Sequence, residues 1–221
     1  MELERKEAAA AARRKRLQMV GGGVLGLVAI AAVVVAILAA TGGDDETEAG
    51  SGSGSASADV QIPAQQTSDM DEAAKAAGCT VTNPKYDGAG HQEKDFTPAD
   101  YNTNPPTSGA HFPEWYDDGV YEPGTTDNLG MLVHTLEHGR IDIQYKKGTP
   151  ANVVAQLEAL YEEQNEGYHM LLFENTTDME PQIAATAWTH SLTCPSMNDK
   201  VFDAIRTFRA RYIDKGPETV P

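Results

Sequence analysis

The chain has 221 residues, a formal net charge of −16 and two cysteines, and 40% of its residues are hydrophobic. Within residues 61–221, 25 Asp plus Glu stand against 11 Lys plus Arg, which leaves a net charge of −14 with histidine neutral. A surface with this charge repels phosphate backbones and anionic lipid headgroups, so the composition disfavours nucleic-acid binding and close adhesion to a membrane surface.

The N-terminal part of the chain predicts a membrane anchor. Residues 1–18 carry six basic and three acidic side chains, a net charge of +3, and residues 19–40 carry no charge. As a helix, the uncharged stretch would be about 33 Å long, enough to cross a hydrocarbon core of about 30 Å. Basic residues before it and acidic residues after it predict a cytoplasmic head at 1–18, a transmembrane helix at 19–40 and an extracytoplasmic C-terminal part. The chain is thus predicted to be a single-pass protein of the cell membrane.

The apolar stretch leaves one alternative open, a cleaved signal peptide, because Ala39 and Ala40 are small residues of the kind found at cleavage sites. It is longer than the roughly 7 to 15 apolar residues of a signal peptide, which favours the uncleaved anchor. Residues 41–60 contain mostly Gly, Ser, Ala and acidic side chains, so we expect a flexible acidic linker. The remaining residues, 61–221, suit one extracytoplasmic domain with its own core.

The domain is expected to begin with a long ordered loop region. Residues 61–128 are rich in Pro, Gly, Asn and Asp, and they include one predicted helix at 68–77, capped by Ser68. Residues 101–121 alternate aromatic residues with turn-forming ones, a composition that disordered linkers seldom have. We therefore expect this half of the domain to wrap around the rest as loop.

Regular elements are predicted for the second half of the domain. Asn128 is expected to cap a helix over 129–138, with Gly139 as its left-handed terminator. The further predictions are a strand at 141–145, a helix that begins at Thr149-Pro150 and ends before Gly167, strands at 170–173 and 183–192, and a last helix opened by Ser196 with Asp199. This order predicts an α+β fold in which helices cover a small mixed sheet.

The two cysteines, Cys79 and Cys194, lie near opposite ends of the domain, in a compartment that is expected to be oxidising. We predict that they form one disulfide, which would stabilise the fold by roughly 4 to 5 kcal/mol on the chain-entropy model. The alternative is that the two thiols serve as soft metal ligands.

The sequence HTLEHG, which begins at His134, has the spacing of metal ligands. In a helix, His134, Glu137 and His138 share one face within an arc of about 120°. Two imidazoles with a carboxylate suit zinc, and two imidazoles with the thioether of Met131 suit copper, especially Cu(I), so the spacing selects neither metal. The alternative is structural, because either imidazole could bind a backbone carbonyl and Glu137 could pair with Arg140.

A third imidazole could come from His111, which follows a Pro-Pro pair and a tight turn at Gly109. A stiff loop of this kind holds a side chain in a fixed place, although a solvent-exposed turn histidine is an equally open alternative. The other histidines have weaker claims: His91, His169 and His190. The predicted metal site therefore comprises His111, His134 and His138, with Glu137 as a fourth ligand or as a support for the ligands.

Three blocks of sequence, in order, resemble the bacterial domain-of-unknown-function 3105 family: NPPTSGAHFPEWYDDGVY from Asn104, LVHTLEHGRIDIQY from Leu132 and ATAWTHSLTC from Ala185. The resemblance covers most of residues 75–215. Members of that family are similar in plan, with a short cytoplasmic head, one membrane helix and an exported domain. The resemblance implies the topology predicted above and the importance of the His111 loop and the helical motif, and it implies no activity.

The sequence supports three functions, in a definite order. The first is a membrane-tethered extracytoplasmic domain that binds copper or zinc through its histidines. The second is a cell-envelope interaction module, in which the aromatic loop at 101–121 contacts a protein partner and the histidines are structural. The third is a small metal-dependent hydrolase, because His-x-x-Glu-His is also the zinc signature of inverted zincin peptidases, with the Glu as general base. Against the third stand the helix end at Gly139, the small domain and the lack of an evident second ligand helix.

Overall fold

A computed structural model describes residues 60–218 of the chain. The predicted cytoplasmic head at 1–18, the predicted membrane helix at 19–40 and all but the last residue of the predicted linker lie outside the described residues. Within 60–218, no helix is both long enough and apolar enough to cross a bilayer.

The described part of the chain forms four α-helices and six β-strands, and it confirms the predicted α+β class. The helices are α1 (Met70–Ala77), α2 (Leu129–Glu137), α3 (Ala151–Glu163) and α4 (Val201–Tyr212). The strands are β1 (Thr80–Thr82), β2 (Gly119–Val120), β3 (Ile141–Tyr145), β4 (Met170–Glu174), β5 (Ile183–Ala187) and β6 (His190–Cys194), and a short 3₁₀ helix spans Pro98–Asp100.

The six strands form one mixed sheet in the order β1-β6-β5-β3-β4-β2. β3 pairs with β4 and β4 with β2 in parallel, whereas the pairs β3–β5, β5–β6 and β1–β6 are antiparallel. Neighbouring residues of a strand point to opposite faces, and both faces are covered. Leu172 belongs to the core formed with α1, α3 and α4, whereas Leu171 packs with Leu129 and Leu132 of α2.

The covering of both faces explains why β3 is buried on both sides. All five residues of β3 are buried. Asp142 and Gln144 lie beneath α2, and the Thr135 hydroxyl is 3.0 Å from Asp142 Oδ1. The polar residues of β3 therefore make buried polar contacts and do not face solvent.

Two strand predictions need correction. The single strand predicted at 183–192 is a hairpin, in which β5 and β6 are joined by a turn at Trp188-Thr189. Thr189 has a φ of 63°, a left-handed conformation that the sequence signals only when Gly, Asn or Asp is present. The region predicted as loop, 61–128, also contributes β1 and β2, one at each edge of the sheet.

Both predicted ends are right for α2, whereas the predicted starts of α1 and α4 are wrong. The Asn128 side chain accepts a hydrogen bond from Met131 N, and Gly139 follows α2 with a φ of 80°, which confirms both ends. In α1 the cap is Asp69, whose carboxylate accepts from Glu72 N, and not Ser68. α4 begins after Lys200 without a side-chain cap, so the predicted capping by Ser196 and Asp199 is wrong.

The predicted disulfide is confirmed between Cys79 and Cys194, which are 115 residues apart in the chain. Cys79 lies between α1 and β1, and Cys194 ends β6. The bond therefore fastens the start of the domain to the sheet, and it leaves neither cysteine free to bind a metal.

Candidate metal centre

The site is built on α2, whose last turn carries His134 and Glu137. Both residues are buried: 2% of the surface of His134 and 5% of the surface of Glu137 are exposed. The helix can hold them against the loop region because Gly130 has no side chain. A Cβ there would lie 2.8 Å from Phe112 N and 2.5 Å from the Phe96 ring. This close approach is the reason for a glycine inside a helix, where it costs about 1 kcal/mol of propensity.

The loop region adds two further histidines, which lie side by side. Gln92 N donates to His111 O at 2.8 Å and His111 N donates to Gly90 O at 3.0 Å, so a short parallel bridge joins His91 to His111. Their ring centroids are 4.7 Å and 4.6 Å, respectively, from that of His134. Long-range pairing of the backbone thus places three imidazoles around one point.

His91, His111, His134 and Glu137 each offer one ligand atom, and these four atoms lie within 4.8 Å of one another. Glu137 Oε2 is 2.9 Å from His111 Nε2 and 3.9 Å from His91 Nε2. Four ligands at about 2.1 Å around a tetrahedral ion are about 3.4 Å apart. Small side-chain rotations would therefore bring all four atoms to bonding distance of a single ion. We call this set the four-residue centre.

Backbone carbonyls fix the tautomers of two of these rings. His111 Nδ1 is 2.8 Å from Gly109 O, and His134 Nδ1 is 2.8 Å from Phe112 O. A carbonyl oxygen only accepts hydrogen bonds, so each Nδ1 carries the proton. In the neutral ring, Nε2 then holds a lone pair that points into the centre. Metal-binding histidines are commonly oriented in this way, by a hydrogen bond from the other ring nitrogen.

Burial keeps these rings neutral. It lowers the pKa of His111 and of His134, and the neighbouring imidazoles lower it further. Burial also raises the pKa of Glu137, helped by the charge of Glu218. Neutral imidazole is the form that coordinates metals. The cluster therefore contains nitrogen ligands in their binding form and a carboxylate that gains stability from any nearby cation.

The contact between His111 and Glu137 is short without being a hydrogen bond. Although the two atoms are 2.9 Å apart, His111 Nε2 has no hydrogen-bond partner of acceptable angle among the described residues. Both atoms carry lone pairs when the ring is neutral and the carboxyl ionised, so they repel each other unless a cation or proton lies between them. A bound ion would give this buried nitrogen a partner.

The structure brings together three of the four predicted site residues, and it places His138 elsewhere. His138 follows the last turn of α2, and its Nε2 faces Glu218 Oε2 at 3.5 Å. It forms a second group with His134 and Glu218. Burial and the neighbouring His134 imidazole lower the pKa of His138 to about 4. The helical spacing gives the shared face correctly but not which ligands converge, because that depends on the loop opposite.

Residues outside the motif were predicted less well. His91, which the sequence marks only weakly, belongs to the four-residue centre, and Glu218 carries no local signal that would mark it as a ligand. Arg140 pairs with Asp118 at 2.7 Å, which leaves Glu137 available to the site. The other two histidines lie outside both groups. His169 contacts Asp214, and the ring of His190 stacks on Tyr212.

The two tryptophans of the chain border the histidines. The ring centroid of Trp115 is 5.2 Å from that of His134 and 4.5 Å from that of His138, and Trp188 lies 6.1 Å from His111. Trp115 is 38% exposed, so it separates the His134 ring only partly from solvent. Indole rings at these distances report on any ion that binds between the imidazoles.

Comparison with known proteins identifies a family and no close relative of known activity. A model of the family described as "Protein of unknown function (DUF3105)" matches residues 91–220, which include every residue of both histidine groups. Neither the curated proteins nor the solved structures contain a match. Because the matched residues are more than half of the chain, the protein belongs to the DUF3105 family.

Proposed function

We propose that this protein is a membrane-tethered, extracytoplasmic domain that holds one transition-metal ion in the four-residue centre. The observation that carries the proposal is the state of the buried rings. His111 and His134 each donate from Nδ1 to a backbone carbonyl, which leaves Nε2 as the free nitrogen of each ring, and His111 Nε2 lies 2.9 Å from Glu137 Oε2. The Cys79–Cys194 disulfide supports an oxidising, extracytoplasmic location.

The donor set favours zinc or copper(II). Three imidazole nitrogens and one carboxylate oxygen suit borderline divalent ions, whereas calcium and magnesium prefer sites made of oxygen ligands. Cysteine cannot contribute, since both thiols are oxidised in the disulfide. Between the two metals, copper(II) is expected to bind more tightly, as it does at most nitrogen and oxygen sites.

The number of protein ligands favours holding a metal over hydrolysis. Catalytic zinc sites have three protein ligands and leave the fourth position to water, whereas closed sites use four. Here three buried residues and His91 together supply four ligands. The His91 side chain is 46% exposed, so this ligand is the one that could exchange with solvent or with another molecule. We infer storage or transfer of a metal in preference to peptidase chemistry.

The alternative role as an interaction module has weaker support. Several aromatics of the loop at 101–121 make contacts within the domain. Tyr101 stacks on Phe96 and donates to Ala110 O, and Tyr116 packs edge-on against Tyr121. These side chains hold the loop against α2, as the proposed metal centre requires, and their contacts lie within the domain.

Metal content of the purified full-length protein tests the proposal. After loading with zinc or copper(II) and desalting, we expect about one ion per chain in the parent and less than one in His111→Ala and His134→Ala. His169→Ala is the control, because it removes a buried imidazole that lies outside both groups. A parent protein that retains no metal, or a control that loses as much as the site variants, would refute the proposal.

A further inference from the structure

The C-terminal segment adds a second group of ligands next to the four-residue centre. His134, His138 and Glu218 each offer one ligand atom, and these atoms lie within 4.8 Å of one another. Glu218 is half exposed, with 50% of its side chain accessible, whereas both histidines are buried. The second group therefore extends from the interior of the domain to its surface.

The segment that carries Glu218 is held in place by the end of α2. Asp214 N donates to Gly139 O at 2.9 Å, and Glu218 N donates to Glu137 O at 3.1 Å. Gly216 lies so close that a Cβ there would overlap Glu137 O. These contacts satisfy carbonyls that the helix end leaves without intrahelical partners. They also fix the position of Glu218 relative to the histidines.

His138 is a buried histidine whose ring has a nitrogen without a hydrogen-bond partner. Its side chain is 2% exposed, and its Nδ1 has no hydrogen-bond partner among residues 60–218. Its Nε2 is 3.5 Å from Glu218 Oε2, a long contact for a hydrogen bond. A buried polar atom left unpaired costs about 1 to 3 kcal/mol. Coordination of an ion through Nδ1 would give this atom a partner and offset that cost.

The two groups share His134, and this ring has only one nitrogen to offer. Its Nδ1 binds Phe112 O, so Nε2 is left to serve either group. One nitrogen lone pair cannot bind two ions at once. The two groups are therefore alternative positions for a single ion, and an ion could move between them without leaving His134.

We propose that His138 and Glu218, together with His134, form a transfer station through which the metal enters and leaves the four-residue centre. The inference rests on the proposed metal-binding function. The ion would first bind Glu218 at the surface and the neutral rings of His138 and His134. It would then exchange the bonds to His138 and Glu218 for bonds to His111, Glu137 and His91 while the bond to His134 remains. No redox change is involved, and the displaced ligands return to their metal-free state.

A station on the exchange route affects rates and not the final affinity. Its loss slows binding and release by the same factor, so the dissociation constant of the four-residue centre does not change. The test uses full-length protein, with copper(II) quenching of tryptophan fluorescence to follow binding and a strong chelator to follow release. The variants are His138→Ala and Glu218→Gln, with His190→Ala as the control, because His190 lies outside both groups and contacts Asn83, and with His111→Ala as the ligand variant.

We expect both rates to fall about tenfold or more in His138→Ala and in Glu218→Gln, with the dissociation constant unchanged, which corresponds to about 1.4 kcal/mol in the exchange barrier. His190→Ala should exchange like the parent, and His111→Ala should lose affinity. Unchanged rates in both station variants would overturn the inference while the proposed function stands. A loss of affinity in His138→Ala equal to that in His111→Ala would also overturn it, by placing His138 among the main ligands. A parent protein that binds no copper(II) or zinc would instead remove the proposed function.

Discussion

Replacing Gly130 by alanine tests how closely the loop region approaches α2, the helix that carries His134 and Glu137. The new Cβ would lie 2.5 Å from Phe96 Cδ2 and 2.8 Å from Phe112 N. The first atom belongs to a side chain that can rotate, but the second belongs to the backbone that presents Phe112 O to His134 Nδ1. The substitution therefore acts on the site although it changes no ligand.

Two opposing effects determine the stability of the variant. Alanine gains about 1 kcal/mol over glycine in a helix interior, and insertion of an extra group into a packed core costs about 1 to 3 kcal/mol. The free energy of unfolding should therefore fall by about 0 to 2 kcal/mol. Displacement of the Phe112 carbonyl should weaken metal binding by about 10- to 100-fold, the usual effect of disturbing the partner of a metal-binding histidine.

The assays are denaturant unfolding of the metal-free protein and chelator competition for zinc or copper(II). The double variant Gly130→Ala with Phe96→Leu separates the two contacts, because it relieves the ring clash and leaves the backbone clash. It should recover part of the stability but not the affinity. A Gly130→Ala protein that is about 1 kcal/mol more stable than the parent, with unchanged affinity, would show that the close approach does not position the site.

Three further predictions concern charge, covalent structure and pH. Burial raises the pKa of Asp142 well above its usual range, so the parent protein loses stability as pH rises from about 4 toward that pKa. In thermal unfolding, Asp142→Asn should be about 1 to 3 kcal/mol more stable than the parent at pH 7 and equally stable near pH 4. A variant less stable than the parent at pH 7 would contradict this prediction. Joint replacement of Cys79 and Cys194, which are 115 residues apart, by alanine should lower the free energy of unfolding by about 4.8 kcal/mol on the chain-entropy model. A decrease in that free energy of less than about 1 kcal/mol in guanidinium titrations would exclude the model. Burial lowers the pKa of His111 and of His134. Zinc affinity, measured by calorimetric titration, should therefore stay constant from pH 8 to about 6.5, the ordinary histidine pKa, and fall at lower pH. A decline in zinc affinity that begins above pH 6.5 would indicate exposed rings.

The sequence predicts best the elements whose signals are local. α2 begins after Asn128 and ends before Gly139 because capping and left-handed termination depend on neighbouring residues. β3 is also recognisable from its own residues. The β5–β6 hairpin was missed because its turn consists of Trp188-Thr189, without a residue that favours a positive φ. The helix starts at α1 and α4 were misplaced because several polar residues compete for the cap.

The candidate site was predictable only in part, for a similar reason. His134 and Glu137 share a helix, and their relation follows from its geometry. His91 and Glu218 lie 43 and 84 residues from His134 in the chain, and they reach it through a backbone bridge and through the C-terminal segment that packs on α2. No spacing rule relates residues that meet only after folding. The exclusion of His138 from the main cluster likewise depends on which segments lie opposite the helix.

The position of the disulfide has a mechanical consequence. All four residues of the centre lie between Cys79 and Cys194 in the chain, whereas α1 lies before the first cysteine, and α4 and Glu218 lie after the second. A pulling force applied at the two ends of the domain would unravel α1 and α4 and then act on the covalent bond. The enclosed segment would carry no tension until that bond broke. The protein could thus be stretched until Glu218 is pulled away from His138 while His91, His111, His134 and Glu137 keep their geometry.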